Sequence, residues 1–259
     1  MEPSEARLPV TDPPIYIVAK PLIAPHRPLP RVIAAALAAG ADGVEFPQEV
    51  VPVLMNPDDL EDFPQFSAPP VLGAAQPLFA HHQVRHDALL TTVLQARALG
   101  CRLVTFPLGA ASGLSDETLD TLRVSLDIAY TDAPGVQVAV ANNRAPTSVN
   151  MSVLPWLVEQ TSEWDHPVHL TFDLDNWIVL GIDAIRAAKE LGRYVGYLRI
   201  GQSAAASSRQ GKDEPITRMM ELLPPGVPRA VMPEETDAEH ARLVTVLSEL
   251  VERLRGQTP

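Results

Sequence analysis

Five charged side chains stand at or just beyond the ends of short apolar segments: Lys20, Glu45, Asp173, Arg199 and Glu234. Carboxylates can act as general acid and base, and a fixed cation can stabilise a developing enediolate oxygen. Charged groups in a partly buried site are costly unless they are paired or used. We therefore predict that Glu45, Asp173, Glu234 and Arg199 are catalytic, and a structural ion-pair network is the alternative.

Eight short apolar or β-branched runs, bounded by Gly, Pro or polar residues, predict eight strands. Their starts recur about every 30 residues, which is close to a constant period. The predicted strands cover 15–19, 43–46, 71–75, 102–106, 136–141, 168–173, 195–200 and 229–232.

Helix-period segments fill most of the gaps between these runs. The clearest cover 31–40, 86–100, 115–130, 181–192 and 236–255, and weaker ones lie at 56–66 and near 150–162, where Pro155 interrupts early. Strands that alternate with helices in this way predict an α/β fold, a (β/α)8 TIM barrel. We expect a single domain over residues 1–259, with a flexible segment at 1–14. A doubly wound open sheet is disfavoured, because no GxGxxG follows the first strand.

Strand parity predicts which side chains point into the barrel. Residues two apart share a face of a strand, and the face toward the helices is apolar. In 168–173 this rule turns Phe172 toward the helices and Asp173 inward, and in 195–200 it turns Arg199 inward. Five strands would thus bring charged groups to the carboxyl-terminal mouth, where barrel enzymes hold their catalytic residues.

The charge balance argues against a nucleic-acid partner. Lys and Arg number 20 against 32 Asp and Glu, so the formal net charge is −12, and a phosphate backbone would be repelled. The single cysteine, Cys101, favours a reducing compartment. No apolar run is long enough to span a membrane, so a cytoplasmic protein without a membrane partner is expected. The oligomeric state does not follow from the sequence.

Several segments resemble those of the xylose isomerase-like TIM barrel superfamily, which includes sugar phosphate isomerases and epimerases and one class of AP endonuclease. The resemblance spans about residues 30–234. Its clearest part is LTFDLDNWIVLGIDAIRAAKELG at 170–192, which is similar to the family's D-x-G-H strand end and the helix after it. The family's histidine in that motif falls on Asn176. The charge of −12 disfavours the endonuclease activity.

The resemblance implies one divalent metal held by Glu, Asp, His and Glu from strands five to eight. These positions fall on Ala141, Asp173, Arg199 and Glu234. Two carboxylates alone do not hold a transition metal tightly, and Arg199 carries a permanent charge where a neutral imidazole would bind. We therefore expect no metal and no other cofactor. Arg199 would replace the charge of the metal by pairing with Asp173 and Glu234.

Five side chains are predicted to bind substrate: Lys20, Asn142, Asn176, Trp177 and Gln202. For Lys20, an ion pair with Glu45 is favoured over Schiff-base chemistry. Asn142 ends the fifth strand with donors suited to sugar hydroxyls, although turn chemistry explains an Asn there equally well. Core or rim packing is the default interpretation for Trp177, and stacking on a sugar face is the functional alternative.

The segment 201–215 is a long, small and polar connection over the mouth. It is predicted to be a mobile lid or a phosphate cradle, and disorder explains its composition equally well.

Two functions fit these observations. The first is an isomerase- or epimerase-like enzyme of carbohydrate metabolism, acting on a small polyhydroxylated or carboxylated substrate at a depleted metal site. The alternative is a non-catalytic barrel that binds a sugar-like ligand or a protein partner. Turnover of a bound sugar would separate the two, because the fold alone does not decide function.

Overall fold

Eight parallel strands form a closed barrel in the computed structural model, which describes residues 12–23, 28–54, 66–111, 113–142, 153–202, 214–234 and 240–256. Each strand pairs with the next along the chain, and the eighth pairs with the first. The strands are β1 Ile15–Val18, β2 Gly43–Pro47, β3 Val71–Gly73, β4 Leu103–Pro107, β5 Gln137–Ala141, β6 His169–Asp173, β7 Val195–Gly201 and β8 Arg229–Met232. The predicted (β/α)8 barrel is therefore confirmed.

Nine α-helices are found in the described part of the chain, and they are α1 Leu29–Ala38, α2 Val51–Leu54, α3 His86–Ala98, α4 Asp116–Asp132, α5 Val153–Thr161, α6 Leu174–Val179, α7 Ala184–Leu191, α8 Glu214–Met220 and α9 His240–Arg255. Pro155 lies in the first turn of α5, where its missing N–H removes no helical hydrogen bond. The sequence pattern did not predict α6 as a separate helix. The predicted helix at 56–66 lies almost entirely outside the described residues, as does most of the segment 1–14.

The buried side chains form two separate clusters. The larger cluster lies between the barrel and its helices, and it contains Leu170 and Phe172 from β6. Burying one such side chain contributes roughly 1.5–3 kcal/mol to folding. The smaller cluster fills the inside of the barrel, and Tyr16 and Tyr197 meet there edge to face with ring centroids 5.9 Å apart. The alternation along the strands thus separates the two clusters as strand parity predicts.

Candidate active site

A bidentate ion pair crosses the inside of the barrel between β2 and β7. Arg199 on β7 donates from Nε to Glu45 Oε2 at 2.9 Å and from Nη2 to Glu45 Oε1 at 2.6 Å. The same Nη2 donates to the hydroxyl of Thr105 on β4. The Arg199 side chain is 14% exposed and that of Glu45 is 5% exposed. Three strands therefore hold one guanidinium group in the barrel interior.

Arg199 is a permanent cation in this setting. Burial by itself would lower the pKa of Arg199, but the negative charges of Glu45 and Asp173 outweigh it and raise the pKa above its usual value. Both carboxylate oxygens of Glu45 accept hydrogen bonds from the guanidinium. The structure thus favours Glu45 as an ion-pair partner over the acid or base that the sequence predicts.

Lys20 does not pair with Glu45, so that prediction is wrong. The strand β1 ends at Val18, and Lys20 begins a single turn of 3-10 helix over Lys20–Leu22. Inward parity therefore does not extend to Lys20, whose Nζ lies 3.3 Å from Glu49 Oε1. Both side chains of that pair are more than half exposed. Lys20 thus lies at the solvent-facing rim, and its predicted contact with substrate remains a prediction.

Asp173 is a buried carboxylate at the carboxyl end of β6. It also precedes α6, and its Oδ1 accepts a hydrogen bond from the backbone N–H of Asn176 at 3.1 Å, which caps the helix. Burial raises the pKa of Asp173 to about 6, although the Arg199 charge and the Asn176 N–H oppose the rise. The negative charges of Asp175 and Glu45 raise it further. A carboxyl group that titrates near neutral pH suits general acid–base chemistry.

Asn142 is fully buried and contacts the backbone of Asp173. Its Nδ2 donates to the Asp173 carbonyl at 2.9 Å, and its Oδ1 accepts from the Asp173 N–H at 2.8 Å. Asn176 Nδ2 in turn donates to the backbone carbonyl of Asn142 at 2.6 Å. The Asn142 amide, predicted to bind substrate, is therefore committed to protein groups. The ends of β5 and β6 lie side by side, so the Asn142 amide reaches the Asp173 backbone and does not face the mouth as the sequence prediction required.

Trp177 packs in the core, as the default interpretation of the sequence has it, and does not line the mouth for stacking on a sugar. Its side chain is fully buried, with its ring centroid 5.6 Å from that of Phe172. The following residues, Ile178 and Val179, are more than half exposed. The helix α6 thus turns its indole inward and leaves two aliphatic side chains facing solvent.

The side chain of Gln202 contacts the backbone of Glu234 where β7 and β8 end next to each other. Gln202 Oε1 accepts a hydrogen bond from the N–H of Glu234 at 3.1 Å, and the Glu234 residue is exposed. The guanidinium of Arg199 bonds Glu45 and not Glu234. The predicted pairing of Arg199 with Glu234 is therefore wrong, although Asp173 lies close enough for the Arg199 charge to affect its pKa.

Three other residues complete the surroundings of the ion pair. Thr105 was not identified as a site residue, although its inward position on β4 follows from the alternation in RLVTF. Tyr197 lies inside the barrel, with its ring centroid 5.9 Å from the Arg199 guanidinium carbon. Gly73 leaves room for the ion pair, because a Cβ there would lie 3.0 Å from Glu45 Oε1. Most of the predicted lid at 201–215 lies outside the described residues.

The described residues contain no group of three or more His, Cys, Asp or Glu side chains able to hold a metal ion together. Among the helices the structure describes, none is both long and apolar enough to cross a membrane.

Comparison with known proteins supports the fold. No protein-family model and no curated protein sequence matches the chain. Among solved structures, L-ribulose 3-epimerase aligns with a TM-score of 0.70 at 15% identity over 95% of each chain. D-psicose 3-epimerase from Clostridium cellulolyticum H10, solved with D-tagatose, aligns with a TM-score of 0.66 at 13% identity, over 94% of this chain and 98% of that one.

A xylose isomerase domain protein from Planctomyces limnophilus aligns with a TM-score of 0.59 at 13% identity, over 94% of this chain and 96% of that one. The protein therefore has a (β/α)8 TIM barrel fold similar to the folds of these three proteins.

Proposed function

We propose that this protein is an isomerase- or epimerase-like enzyme that transfers a proton on a small polyhydroxylated or carboxylated substrate. The observation that carries the proposal is the buried Asp173 carboxylate beside the fixed Arg199 cation, at the carboxyl end of a TIM barrel. Barrel enzymes place their chemistry at this end. The similar folds of L-ribulose 3-epimerase and D-psicose 3-epimerase support a sugar-like substrate.

The proposed reaction uses the two groups in complementary roles. Asp173 takes a proton from the carbon next to a carbonyl group, and the C–H electron pair moves to the carbonyl oxygen. The Arg199 guanidinium stabilises the negative charge that develops on this oxygen. Asp173 then delivers the proton to the former carbonyl carbon, the proton of the neighbouring hydroxyl passes to the first oxygen, and a carbonyl forms on the carbon that lost its hydrogen. Removing one such stabilising donor typically lowers the rate about 10²–10³-fold.

The site is proposed to work without a tightly bound divalent metal. The fold family would place its four ligands at Ala141, Asp173, Arg199 and Glu234. Ala141 supplies no donor atom, and a metal bound between the two carboxylates would face the Arg199 guanidinium. Repulsion between the two cations and the small donor set do not fit a tightly held metal.

A non-catalytic barrel that binds a sugar-like ligand or a protein partner is the second candidate. It is favoured by the bidentate pairing of Glu45 with Arg199, in which both carboxylate oxygens of Glu45 already accept hydrogen bonds within the protein. In either case we propose a single domain over 1–259 and, from the single cysteine, a cytoplasmic location.

Proton exchange in D₂O tests the proposal whatever the product of the reaction is. The protein is incubated with free pentoses and hexoses and with the corresponding sugar acids, and ¹H NMR follows the loss of signal next to the carbonyl. Asp173→Asn removes the base, and Asp183→Asn is the matched control, because Asp183 caps the N-terminus of α7 in the same way.

Exchange by the wild type and by Asp183→Asn, with loss in Asp173→Asn, supports the proposal. Binding of a sugar in saturation-transfer NMR without any exchange would overturn it in favour of the non-catalytic barrel. Exchange that persists in the presence of EDTA supports the metal-free site. Exchange that stops with EDTA and returns with Mn²⁺ would overturn that part.

A further inference from the structure

The guanidinium of Arg199 has five N–H donors, and three of them have partners among the described residues. Nε–H and one N–H of Nη2 point to Glu45, and the second N–H of Nη2 points to Thr105. Within the described part of the chain, no residue accepts a hydrogen bond from Nη1. Since the Arg199 side chain retains 14% exposure, one end of this buried cation remains open.

A ligand can approach the guanidinium from the mouth of the barrel. Tyr197 precedes Arg199 by two residues on β7, so its inward side chain lies one layer closer to the amino-terminal end of the barrel. Its ring lies 5.9 Å from the guanidinium carbon and is fully buried. Access to the guanidinium from that side is therefore blocked, and the carboxyl-terminal side is where a ligand can approach.

We propose that Glu45 and Thr105 are positioning residues that orient Arg199 so that its Nη1 amino group donates to an oxygen atom of the substrate. This inference rests on the proposed function and deepens it. It gives Thr105 a role that neither the sequence nor the comparisons assigned, and it changes the role of Glu45 from acid or base to counter-ion.

Each of the two partners supplies something different. The carboxylate of Glu45 fixes the plane of the guanidinium through two parallel hydrogen bonds and neutralises its charge. Rotation about the Nε–Cζ bond exchanges the two Nη groups, and Glu45 opposes this rotation through its bond to Nη2. Thr105 lies on β4 and approaches from another strand, so its hydroxyl gives Nη2 a second partner that opposes the same rotation. Gly73 keeps the space beside Glu45 free.

This arrangement favours a transition state over a bound anion. Because Glu45 offsets part of the Arg199 charge, the pair attracts a bound anion less than an unpaired guanidinium would. The N–H groups of Nη1 are not used by Glu45 or Thr105, and a hydrogen bond from one of them strengthens when negative charge develops on the bound oxygen.

The first test measures the guanidinium directly in ligand-free protein labelled with ¹⁵N-arginine. A freely rotating guanidinium averages its two Nη signals, whereas a held one shows them separately. The Arg199 signals are assigned by their absence from Arg199→Lys. We compare Thr105→Val, which keeps the shape but removes the acceptor, with Thr105→Ser, which restores the hydroxyl.

The matched control is Thr92→Val, because Thr92 is a buried threonine whose hydroxyl also accepts a side-chain N–H, from Gln48 at 3.0 Å, but lies on α3 outside the barrel. We expect separate Nη signals in the wild type, Thr92→Val and Thr105→Ser, and averaged signals in Thr105→Val. Glu45→Gln gives a second, independent variant with the same expected averaging. Unchanged signals in Thr105→Val and Glu45→Gln would overturn the inference.

The second test uses proton exchange in D₂O with the sugars described above. A misplaced catalytic group can lower a rate about 10²-fold, so we expect a loss of that order in Thr105→Val and recovery in Thr105→Ser. If the wild type catalyses no exchange, the proposed function fails, and the NMR signals still decide whether Thr105 holds Arg199. If the wild type and Thr105→Val exchange at the same rate, the positioning role is wrong.

Discussion

The side-chain amide of Asn142 makes both of its hydrogen bonds with the backbone of a single residue, Asp173. The two distances, 2.9 Å to the carbonyl and 2.8 Å from the N–H, continue the pairing of β5 with β6 beyond the end of β5. The Asn142 side chain thus takes the place of a neighbouring backbone at Asp173, the last residue of β6. The position of the Asp173 carboxylate depends on this contact.

Asn142→Ala is expected to destabilise the protein by about 2–4 kcal/mol, because it leaves a buried N–H and a buried carbonyl without partners. Urea unfolding followed by circular dichroism measures the change. Thr161→Val is the matched control at the other end of β6, where the Thr161 hydroxyl accepts one hydrogen bond from the Val168 N–H at 3.2 Å. A smaller loss in Asn142→Ala than in Thr161→Val would contradict the expectation.

The buried carboxyl of Asp173 predicts a pH-dependent contribution to stability. Its pKa is raised from 3.8 to about 6 in the folded protein, so between these values the folded protein keeps a proton that the unfolded chain has released. The associated stability is present below pH 3.8 and is lost as the pH rises through 6. Above that, the ionised Asp173 costs about 3 kcal/mol relative to an exposed carboxylate.

Unfolding of the wild type and of Asp173→Asn should therefore be compared at several pH values. The asparagine keeps the helix cap and does not titrate. We expect the free energy of unfolding of the wild type, relative to this variant, to fall across the interval from 3.8 to 6. A difference that is independent of pH would contradict the raised pKa of Asp173 in the folded protein.

Proton exchange should show the opposite pH dependence. A base must be ionised to accept a proton, so the exchange rate is expected to rise as the pH passes through the Asp173 pKa of about 6 and then to level off. The rate of exchange, measured at saturating sugar across this range, checks the prediction. A rate that falls with increasing pH would indicate that the group acts in its protonated form.

Arg199→Ala is expected to lower the exchange rate about 10²–10³-fold while part of the sugar binding remains. It also leaves the Glu45 carboxylate buried and unpaired, which should destabilise the fold by about 3–5 kcal/mol. The double variant Arg199→Met with Glu45→Leu separates the two effects. It should recover most of the stability, because no buried charge is left. It should still catalyse no proton exchange, because the guanidinium is missing. Exchange at the wild-type rate in Arg199→Ala would exclude the catalytic role.

The absence of a tight metal site is tested by dialysis against Mn²⁺, Co²⁺, Zn²⁺ or Mg²⁺ followed by plasma mass spectrometry. We expect no stoichiometric metal, because Ala141 supplies no ligand and Arg199 repels a cation. Asp173→Ala is the control. Stoichiometric metal in the wild type that disappears in this variant would show that the site holds a metal after all.

The sequence alone determined the fold and the direction of the charged side chains on the strands. The alternation of apolar and polar residues is a local property with a period of two, so it placed Asp173 and Arg199 inside the barrel correctly. The regular recurrence of strands determined the closed barrel for a similar reason, since each strand–helix unit can be read separately along the chain.

Only the tertiary structure decided which groups meet. The pairing of Arg199 with Glu45 and Thr105 joins residues 154 and 94 positions apart, across the width of the barrel. The repeat of apolar and polar residues along a strand does not predict contacts between residues so far apart in the sequence. Lys20 lies at the rim and pairs with Glu49 because β1 ends before it. Trp177 packs in the core because α6 turns its indole inward. Which side chains pair inside a closed barrel depends on strand register and side-chain reach, and both exist only once the barrel has closed.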